Sequence, residues 1–579
     1  MFRRTDPQES LLDNQFLLPP EKRARLERSW AHEFRTRVLP LIDEEVYRGS
    51  FSATTGRPNR SIRLMTGLEL LKHWHDLTDR ELVEQLEFNL QFQYALGVTA
   101  AEAHIERKLL HDHRVRTLQN GGAQEMFERV TRGLAELDGL SLKLQRLDSS
   151  HVMSHIAQLT RLGLMVETLT KFLRALDKEA PEKLAGLGAT LRQRYLDREG
   201  YFADVKKEQA RRRLLVVARD LYRVIEAFAQ DARVQAMDSF VLVVRVFNEQ
   251  CEVIDKDDGV SGGGDGVSGA DGSADADGAG EGEADPRIQL REGKKISGQS
   301  LQSPHDPDAT YGHKGKGYEV QVSETCVEEN PYQVITHVSV NGAHESDQRA
   351  TPEVIDDLYE AGMAPEELLA DTGYGSGENI IDAAVNGVSL LAPVQDPNAP
   401  VKRDTFIEPV AVVRSGTEEE RVLGLGDFQF NSIFNEVLAC PAGCAPTANE
   451  VDDERREPYA ARFDGAGCSG CPLAGLCPAR ESRGSKERIL RWRDVKAATA
   501  TRQREQRETP FKERYRLRSG IEATNSELKG RHGADDLRVR GRARVEMVMV
   551  FKALALNVKR ACQASISSLS APTCEAAPA

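Results

Sequence analysis

The hydrophobic pattern of the chain changes its period within residues 140–152, which read LSLKLQRLDSSHV. Leu140, Leu142 and Leu144 alternate with polar residues here, and this spacing predicts a β-strand. The stretches on both sides instead repeat apolar residues at helical spacing. A strand among helices predicts an α/β fold. Asp148, which follows the apolar run, is then placed to project into a cleft at the edge of the sheet.

A second aspartate has the same setting. The short apolar run Leu368-Leu369-Ala370 leads directly into Asp371, and small or polar residues follow this aspartate as they follow Asp148. Most single aspartates at the end of a strand are turn or helix-capping residues. The two strand contexts make both carboxylates candidate ligands, and they leave the turn interpretation open.

A helical stripe near the C-terminus carries the third candidate carboxylate. Its members Tyr515, Arg518, Glu522 and Lys529 are separated by 3, 4 and 7 residues, which places them on one face of a predicted helix. A carboxylate flanked by cations and a phenol suits a metal ion next to a phosphate group. The alternative is a solvated helix face on which Arg518 and Glu522 form an ordinary salt bridge.

Together these motifs resemble the DDE transposases of bacterial insertion sequences. The spacing of the helical stripe is similar to the Y-R-E-K signature of that family at every step. The sequences LDSSHV around Asp148 and ADTGYGSGENI around Asp371 resemble its other two acidic motifs. The resemblance covers most of residues 20–562. Three further stretches resemble the family's N-terminal helical domain, the entry to its second strand and its C-terminal end: residues 56–86, 306–322 and 537–560.

The resemblance implies a ribonuclease-H-like catalytic core that uses Mg²⁺ or Mn²⁺ to nick transposon ends and join them to target DNA. Two such ions can activate the attacking oxygen and stabilise the leaving oxygen, and they prefer oxygen ligands such as carboxylates. Carried over by motif, the metal ligands are Asp148, Asp371 and Glu522. The side chains expected to contact DNA near the cleaved phosphate are Tyr515, Arg518 and Lys529.

The resemblance, together with composition and periodicity, divides the chain into an N-terminal helical domain, an α/β catalytic core and three additions. We predict an N-terminal helical DNA-binding domain at 20–125, although a helical bundle with ordinary solvated charges would show the same periodicity. The core is expected in three segments, 138–155, 300–395 and 500–562. The additions are a helical insertion at 156–254, a disordered acidic linker at 255–290 and a small cysteine-rich β insertion at 396–485. The acidic segment is longer than the family resemblance leads us to expect.

The net charge of −14 is unevenly distributed along the chain. Residues 255–285 hold ten Asp/Glu and one Lys, so they contribute −9 of this total. Residues 481–560 hold 22 Lys/Arg and 11 Asp/Glu, a local charge of +11. Phosphate binding responds to local positive potential. The acidic total is therefore compatible with double-stranded DNA as the partner, and the basic C-terminal region is a candidate contact surface.

Five of the nine cysteines lie within one short region. In a reducing compartment such a cluster favours a metal site over a disulfide framework. Tetrahedral Zn²⁺ needs four thiolates. The preferred set for a structural Zn²⁺ is Cys440, Cys468, Cys471 and Cys477. Cys444 is the alternative to Cys440, and a group of free buried thiols is the alternative to a metal site.

The sequence predicts a transposase that acts on transposon terminal repeats and target DNA, with a homodimer in the synaptic complex. The N-terminus has no apolar run typical of a secretory signal and no stretch is long enough to span a membrane, so a cytoplasmic protein is expected. One alternative is a catalytically inactive or domesticated DNA-binding protein of the same fold. Another is a structure-specific nuclease that uses the same ions. The intact set of three acids favours the active transposase.

Overall fold

The computed structural model describes residues 1–5, 16, 18–197, 207–254, 287–396, 423–482 and 486–570, and it has a mixed α/β architecture. Most of the predicted acidic linker at 255–290 lies outside the described residues. Its last four residues, Arg287–Leu290, form a β-strand.

Helices form the N-terminal part of the chain, as predicted, and they continue beyond residue 125 to Asp138. Thr78 and Glu81 form a capping box, in which each side chain binds the backbone N–H of the other residue. The helices are α1 (Pro20–Leu26), α2 (Trp30–Glu33), α3 (Ile62–Trp74), α4 (Asp79–Phe88), α5 (Leu90–Leu96), α6 (Arg107–Gln119) and α7 (Gly122–Asp138).

Strand β1 (Leu144–Val152) then leads into the helical insertion. The insertion has its own hydrophobic core, to which Phe172, Leu221 and Val243 contribute. It consists of α8 (Arg161–Glu179), α9 (Pro181–Gly186), α10 (Ala189–Arg192), α11 (Lys207–Ala227), α12 (Ala232–Gln235) and α13 (Asp238–Gln250), followed by the antiparallel pair β2 (Cys251–Ile254) and β3 (Arg287–Leu290).

The central sheet has β1 in its middle. Strand β5 pairs antiparallel with β6 on one side and with β1 on the other. Strand β7 pairs parallel with β1 and with β8. The short β4 pairs with the first residues of β5. The elements of this part are β4 (Thr310–Gly312), β5 (Gly315–Thr325), β6 (Ile335–Gly342), α14 (Asp347–Glu360), β7 (Glu367–Leu369), α15 (Gly377–Val385) and β8 (Ser389–Leu391).

Strand β1 lies later in the chain than the leucine alternation predicts. Leu140 and Leu142 precede it, and the strand continues through Asp148 to Val152. The reason is the long antiparallel ladder with β5, which pairs every residue from Gln145 to Val152. Backbone hydrogen bonding to a neighbouring strand extends β1 through polar residues that have no hydrophobic period of their own.

Helix α14 also differs from its sequence prediction. The pair Thr351-Pro352 predicts a helix with proline at its first position, but α14 begins at Asp347 and contains Pro352 in its interior. Proline lacks the N–H that would bind the carbonyl four residues earlier. Here the Nδ2 atom of Asn379 donates to that carbonyl, on Gln348, at 2.9 Å. The replacement hydrogen bond explains why the helix tolerates its proline.

Cysteine-rich residues and a helical C-terminus complete the chain. The cysteine-rich part contains β9 (Gln429–Phe430), β10 (Val437–Ala439), β11 (Ala448–Val451), β12 (Tyr459–Phe463), α16 (Gly465–Ser469), β13 (Arg480–Glu481) and β14 (Arg488–Trp492). The C-terminal helices are α17 (Asp494–Glu505), α18 (Thr509–Tyr515), α19 (Ile521–His532) and α20 (Arg542–Ser570). None of the helices in the described ranges is long and apolar enough to cross a membrane.

Helix α20 connects the N-terminal helices to the sheet. It packs against α3 and α7 on one side and against β6 on the other. Leu68 of α3, Val320 of β5 and Phe551 of α20 belong to one continuous hydrophobic core. The N-terminal helices therefore share their core with the sheet.

Candidate active site

The register of the central sheet places Asp148 beside Asp371. Arg146 of β1 is opposite Leu369, the last residue of the parallel strand β7. Asp148 and Asp371 each lie two residues after this pair, so both carboxylates lie where β7 has ended and β1 continues. Asp371 thus follows its strand as predicted, whereas Asp148 lies within its strand. Both carboxylates lie within 4 Å of the guanidinium group of Arg518.

The helical stripe is present, but it is not one continuous helix. Tyr515 ends α18, Arg518 lies in a 3₁₀ turn at Arg516–Gly520, and Glu522 is the second residue of α19. Within this turn the carbonyl of Leu517 accepts a 3.0 Å hydrogen bond from Nη1 of Arg146. The predicted helix is thus helical throughout but contains one 3₁₀ turn, at which Arg146 of β1 contacts the backbone.

Arg518 contacts all three candidate carboxylates. Its Nη2 atom lies 2.8 Å from Oδ1 of Asp148 and 3.7 Å from Oδ2 of Asp371. Its Nη1 atom lies 3.6 Å from Oε1 of Glu522. The structure thus gathers three acids from distant parts of the chain around one guanidinium group, which balances part of their charge.

Asp148 is the most enclosed of the three acids. Its side chain is 14% exposed, against 37% for Asp371 and 69% for Glu522. Burial raises the pKa of Asp148, and the charge of Asp371 raises it further, while Arg518 opposes both effects. Asn525 of α19 also contacts this carboxylate, with Nδ2 at 3.3 Å from Oδ2. Sequence reasoning missed Asn525, although it lies on the same helix face as Glu522.

The loop after Asp371 is held by buried polar contacts. The carboxylate accepts a 2.7 Å hydrogen bond from the backbone N–H of Gly373. The buried hydroxyl of Tyr374 donates to Oε1 of Gln321, and Nε2 of the same glutamine donates to Asp347 at 3.1 Å. A Cβ atom on Gly373 would lie 2.9 Å from Asp371 and 3.2 Å from Asp347. A side chain at this position would therefore crowd both carboxylates and require that of Asp371 to shift.

A fully buried glutamate, Glu324, ties the site together from behind. Its Oε1 atom accepts a 2.8 Å hydrogen bond from Arg146 of β1. Its Oε2 atom accepts a 2.7 Å hydrogen bond from Thr524 of α19 and a 3.1 Å hydrogen bond from Arg560 of α20. Arg146 also holds the turn that carries Arg518. This network was not predicted from the sequence, because Glu324 is only one of several charged residues in β5.

Tyr515 and Lys529 lie at the two ends of the stripe. The ring of Tyr515 stacks on Phe511 with centroids 5.7 Å apart, and burial raises its pKa. Lys529 lies nearer to the far end of β1, where its charge helps to lower the pKa of His151 after the larger effect of burial. The two residues therefore flank the carboxylates on opposite sides.

The clustered cysteines lie close to one another in the β insertion. Cys440 forms a tight turn in which its Sγ atom accepts from the backbone N–H of Cys444 at 3.4 Å. Burial raises the pKa of Cys468, and the charges of Cys477, Cys440 and Cys471 raise it further. The thiols of the predicted zinc set are thus within electrostatic reach of Cys468, and all are free.

Neither site has a closed metal geometry. Within the described residues, no three His, Cys, Asp or Glu side chains are arranged to hold a metal ion. At the carboxylates the reason is visible, because the guanidinium of Arg518 lies between the oxygen atoms.

Two family models match the chain. A model described as "Transposase domain (DUF772)" matches residues 24–116, within the N-terminal helices. A model described as "Transposase DDE domain" matches residues 439–562, which include the cysteine cluster and the whole Y-R-E-K stripe. Asp148 and Asp371 lie outside both matches. The matches support a DDE transposase of the insertion-sequence type and confirm the resemblance found in the sequence.

A curated protein shares a short segment with this chain. The "Uncharacterized protein ORF8 in nfe locus" of Rhizobium meliloti is 42% identical over 60 residues. This segment is 10% of the present chain and 29% of the relative, so the likeness is local. No solved structure matches the chain. Both matching models describe parts of transposases.

Proposed function

We propose that the protein is an active transposase that nicks transposon ends and joins them to target DNA by metal-dependent phosphoryl transfer. The convergence of Asp148, Asp371 and Glu522 on one guanidinium group is the observation that carries this proposal. The sheet, with three antiparallel strands followed by two parallel ones, supports a ribonuclease-H-like core. A homodimer would align two such sites on the paired transposon ends.

The donor atoms of the site fit Mg²⁺ or Mn²⁺. All three acids offer carboxylate oxygens, which these hard cations prefer. The Oδ1 atom of Asn525 adds an amide oxygen that is buried without a hydrogen-bond partner in the described part of the chain. When bound, the ions would activate the attacking water or 3′-hydroxyl and stabilise the leaving oxygen. Asp148, Asp371 and Glu522 would hold them.

The protein's own residues would position the DNA. Arg518 now balances part of the charge of the three acids and occupies the space between them, so its guanidinium would swing away before they accept a divalent cation. It would then be free to bind a phosphate in a bidentate manner. Lys529 would provide a point charge on one side of the cleaved phosphate, and Tyr515 a hydroxyl on the other.

The full-length protein should cleave and join DNA that carries its own element's terminal repeats. We expect nicks at the repeat ends and strand-transfer products with Mg²⁺ or Mn²⁺, and neither product in EDTA. Denaturing gel electrophoresis of end-labelled DNA measures both steps. Tight, specific binding of the repeats without nicking or joining would contradict the proposal and favour a catalytically inactive DNA-binding protein.

We also propose that the cysteine cluster binds a structural Zn²⁺. The thiols around Cys468 supply the soft donor set that zinc prefers. Cys440, Cys468, Cys471 and Cys477 would be the four ligands. The turn at Cys440 supports its inclusion, because the N–H of Cys444 already stabilises its sulfur. Cys444 is exposed and would remain outside the ligand set.

Protein purified without added zinc should contain about one equivalent of zinc per chain, as a closed four-thiolate site requires. Cys468→Ser should reduce this to less than half an equivalent and lower the thermal stability of the β insertion. Cys444→Ser is the matched control and should retain the metal. Inductively coupled plasma mass spectrometry measures the content. A wild-type value below half an equivalent would exclude the site, and loss of zinc in Cys444→Ser alone would exchange the roles of Cys440 and Cys444.

A further inference from the structure

A cavity with both polar and apolar walls lies where the helical insertion meets the central sheet. It has a volume of about 250 Å³ and is lined mainly by the start of α8, the end of α13 and residues 293–302. Arg161 and Lys316 are its charged lining residues, and no aspartate or glutamate of the described part of the chain lines it. None of the three candidate carboxylates, Asp148, Asp371 and Glu522, lines this cavity.

The two cations of this cavity are held by backbone carbonyls. Nη2 of Arg161 donates to the carbonyl of Gln250 at 2.7 Å, and Nζ of Lys316 donates to the carbonyl of Leu159 at 2.5 Å. Burial lowers the pKa of both side chains, and neither owes any part of its shift to an aspartate or glutamate. Glu249 lies behind the lining, where it binds Arg245 and the N–H of Leu301. Among the residues that the structure describes, two positive charges thus share a partly buried space without a matching negative charge.

Unused hydrogen-bonding atoms in the same lining also indicate a ligand. The Nε atom of Arg161 is buried without a hydrogen-bond partner among the residues described. Oε1 of Gln250 likewise has no hydrogen-bond partner among these residues, and Gln250 is only 3% exposed. Its amide can present either oxygen or NH₂ to the cavity, since the two orientations have nearly the same shape. A buried group left without a partner costs free energy, so a missing ligand accounts for both.

The cavity also lies at the positive end of a long helix. Thr160 caps α8, which has 19 residues, and Thr160, Arg161 and Leu164 of its first turn line the cavity. The aligned peptide dipoles of a helix favour an anion at this end. The N-terminus of α8, the guanidinium of Arg161 and the ammonium of Lys316 therefore all favour an anion.

We infer that this cavity binds a phosphate group, which the DNA backbone supplies when the protein engages a transposon end. The DNA part of this inference rests on the proposed function. From Val322, opposite Asp148, to Lys316 is six residues along β5. At about 3.3 Å per residue this is roughly 20 Å, the length of about six base pairs. A duplex held at the carboxylates can thus reach the cavity and be anchored there by the helical insertion.

Salt titration of DNA binding tests the inference. The full chain is measured in EDTA by fluorescence anisotropy on a terminal-repeat duplex, so that the result does not depend on cleavage. Arg161→Gln and Lys316→Gln should each weaken binding roughly five- to tenfold and reduce the slope of log K against log salt by about 1. Lys295→Gln removes an exposed charge beside the cavity, outside its lining, and should change neither quantity by as much.

Inorganic phosphate provides the second arm. Phosphate should raise the melting temperature of the wild type and of Lys295→Gln, but not that of Lys316→Gln or Arg161→Gln. Arg161→Lys keeps the charge and should keep most of the effect, which separates loss of charge from misfolding. If the cavity variants lose the phosphate effect but bind DNA normally, the site serves a free phosphate compound. If neither arm distinguishes them from Lys295→Gln, the inference is wrong. A wild type that binds no DNA would count against the proposed function, and the phosphate arm would still decide the cavity.

Discussion

Asp148→Asn, Asp371→Asn and Glu522→Gln should each lower DNA cleavage by at least roughly three orders of magnitude. Loss of a ligand to a catalytic ion removes several kcal/mol of charge stabilisation from the transition state, and each tenfold in rate corresponds to about 1.4 kcal/mol. Single-turnover cleavage of a terminal-repeat duplex with Mg²⁺ or Mn²⁺ measures the effect. Asp382→Asn, at an exposed position of α15, is the matched control and should cleave normally.

The same variants should bind DNA as well as the wild type or better, because each removes a negative charge close to a phosphate.

Asp148→Asn should also melt no lower than the wild type. Its raised pKa means that the folded site binds a proton more readily than the unfolded chain, so the charged form costs stability at neutral pH. This cost disappears as the pH falls through the folded-state pKa, and the asparagine removes it at every pH. Wild-type cleavage by Asp148→Asn would contradict its role as a metal ligand.

Much of the site follows from the sequence because it depends on local signals. Short apolar runs before Asp148 and Asp371 predict their positions next to strands, and the spacing of Arg518 and Glu522 predicts a shared helical face. The structure brings these residues together. Their roles as metal ligands and DNA contacts remain predictions.

Other features could not be predicted because they depend on residues distant in the chain. The break between α18 and α19 involves an arginine from β1, and the proline within α14 is tolerated through Asn379 of α15. Neither contact leaves a periodic signal near the residue it affects. The contact between Arg518 and all three acids likewise requires the sheet register, which pairs Arg146 with Leu369 across 223 positions (369 − 146).

The largest effect on stability is expected from Glu324→Ala. Glu324 is fully buried and accepts hydrogen bonds from Arg146 and Arg560, so its removal leaves two arginines without their carboxylate. Breaking a buried ion pair on one side costs about 3–5 kcal/mol, mainly because a buried charge loses its compensation. Glu328→Ala, an exposed change in the loop after the same strand, should cost less than about 0.5 kcal/mol.

Two measurements separate the structural role of Glu324 from a chemical one. Chemical denaturation in EDTA should show an earlier unfolding transition for Glu324→Ala, with Glu324→Gln between it and the wild type, because glutamine keeps the shape and part of the hydrogen bonding. Hydrogen exchange should increase in the Arg516–Gly520 turn, since Arg146 holds the carbonyl of Leu517 only while Glu324 orients it. Cleavage would then fall through misplacement of Arg518 and Glu522, and saturating Mn²⁺ should restore part of it. If Glu324→Ala unfolds and exchanges like the wild type, the network does not hold the site.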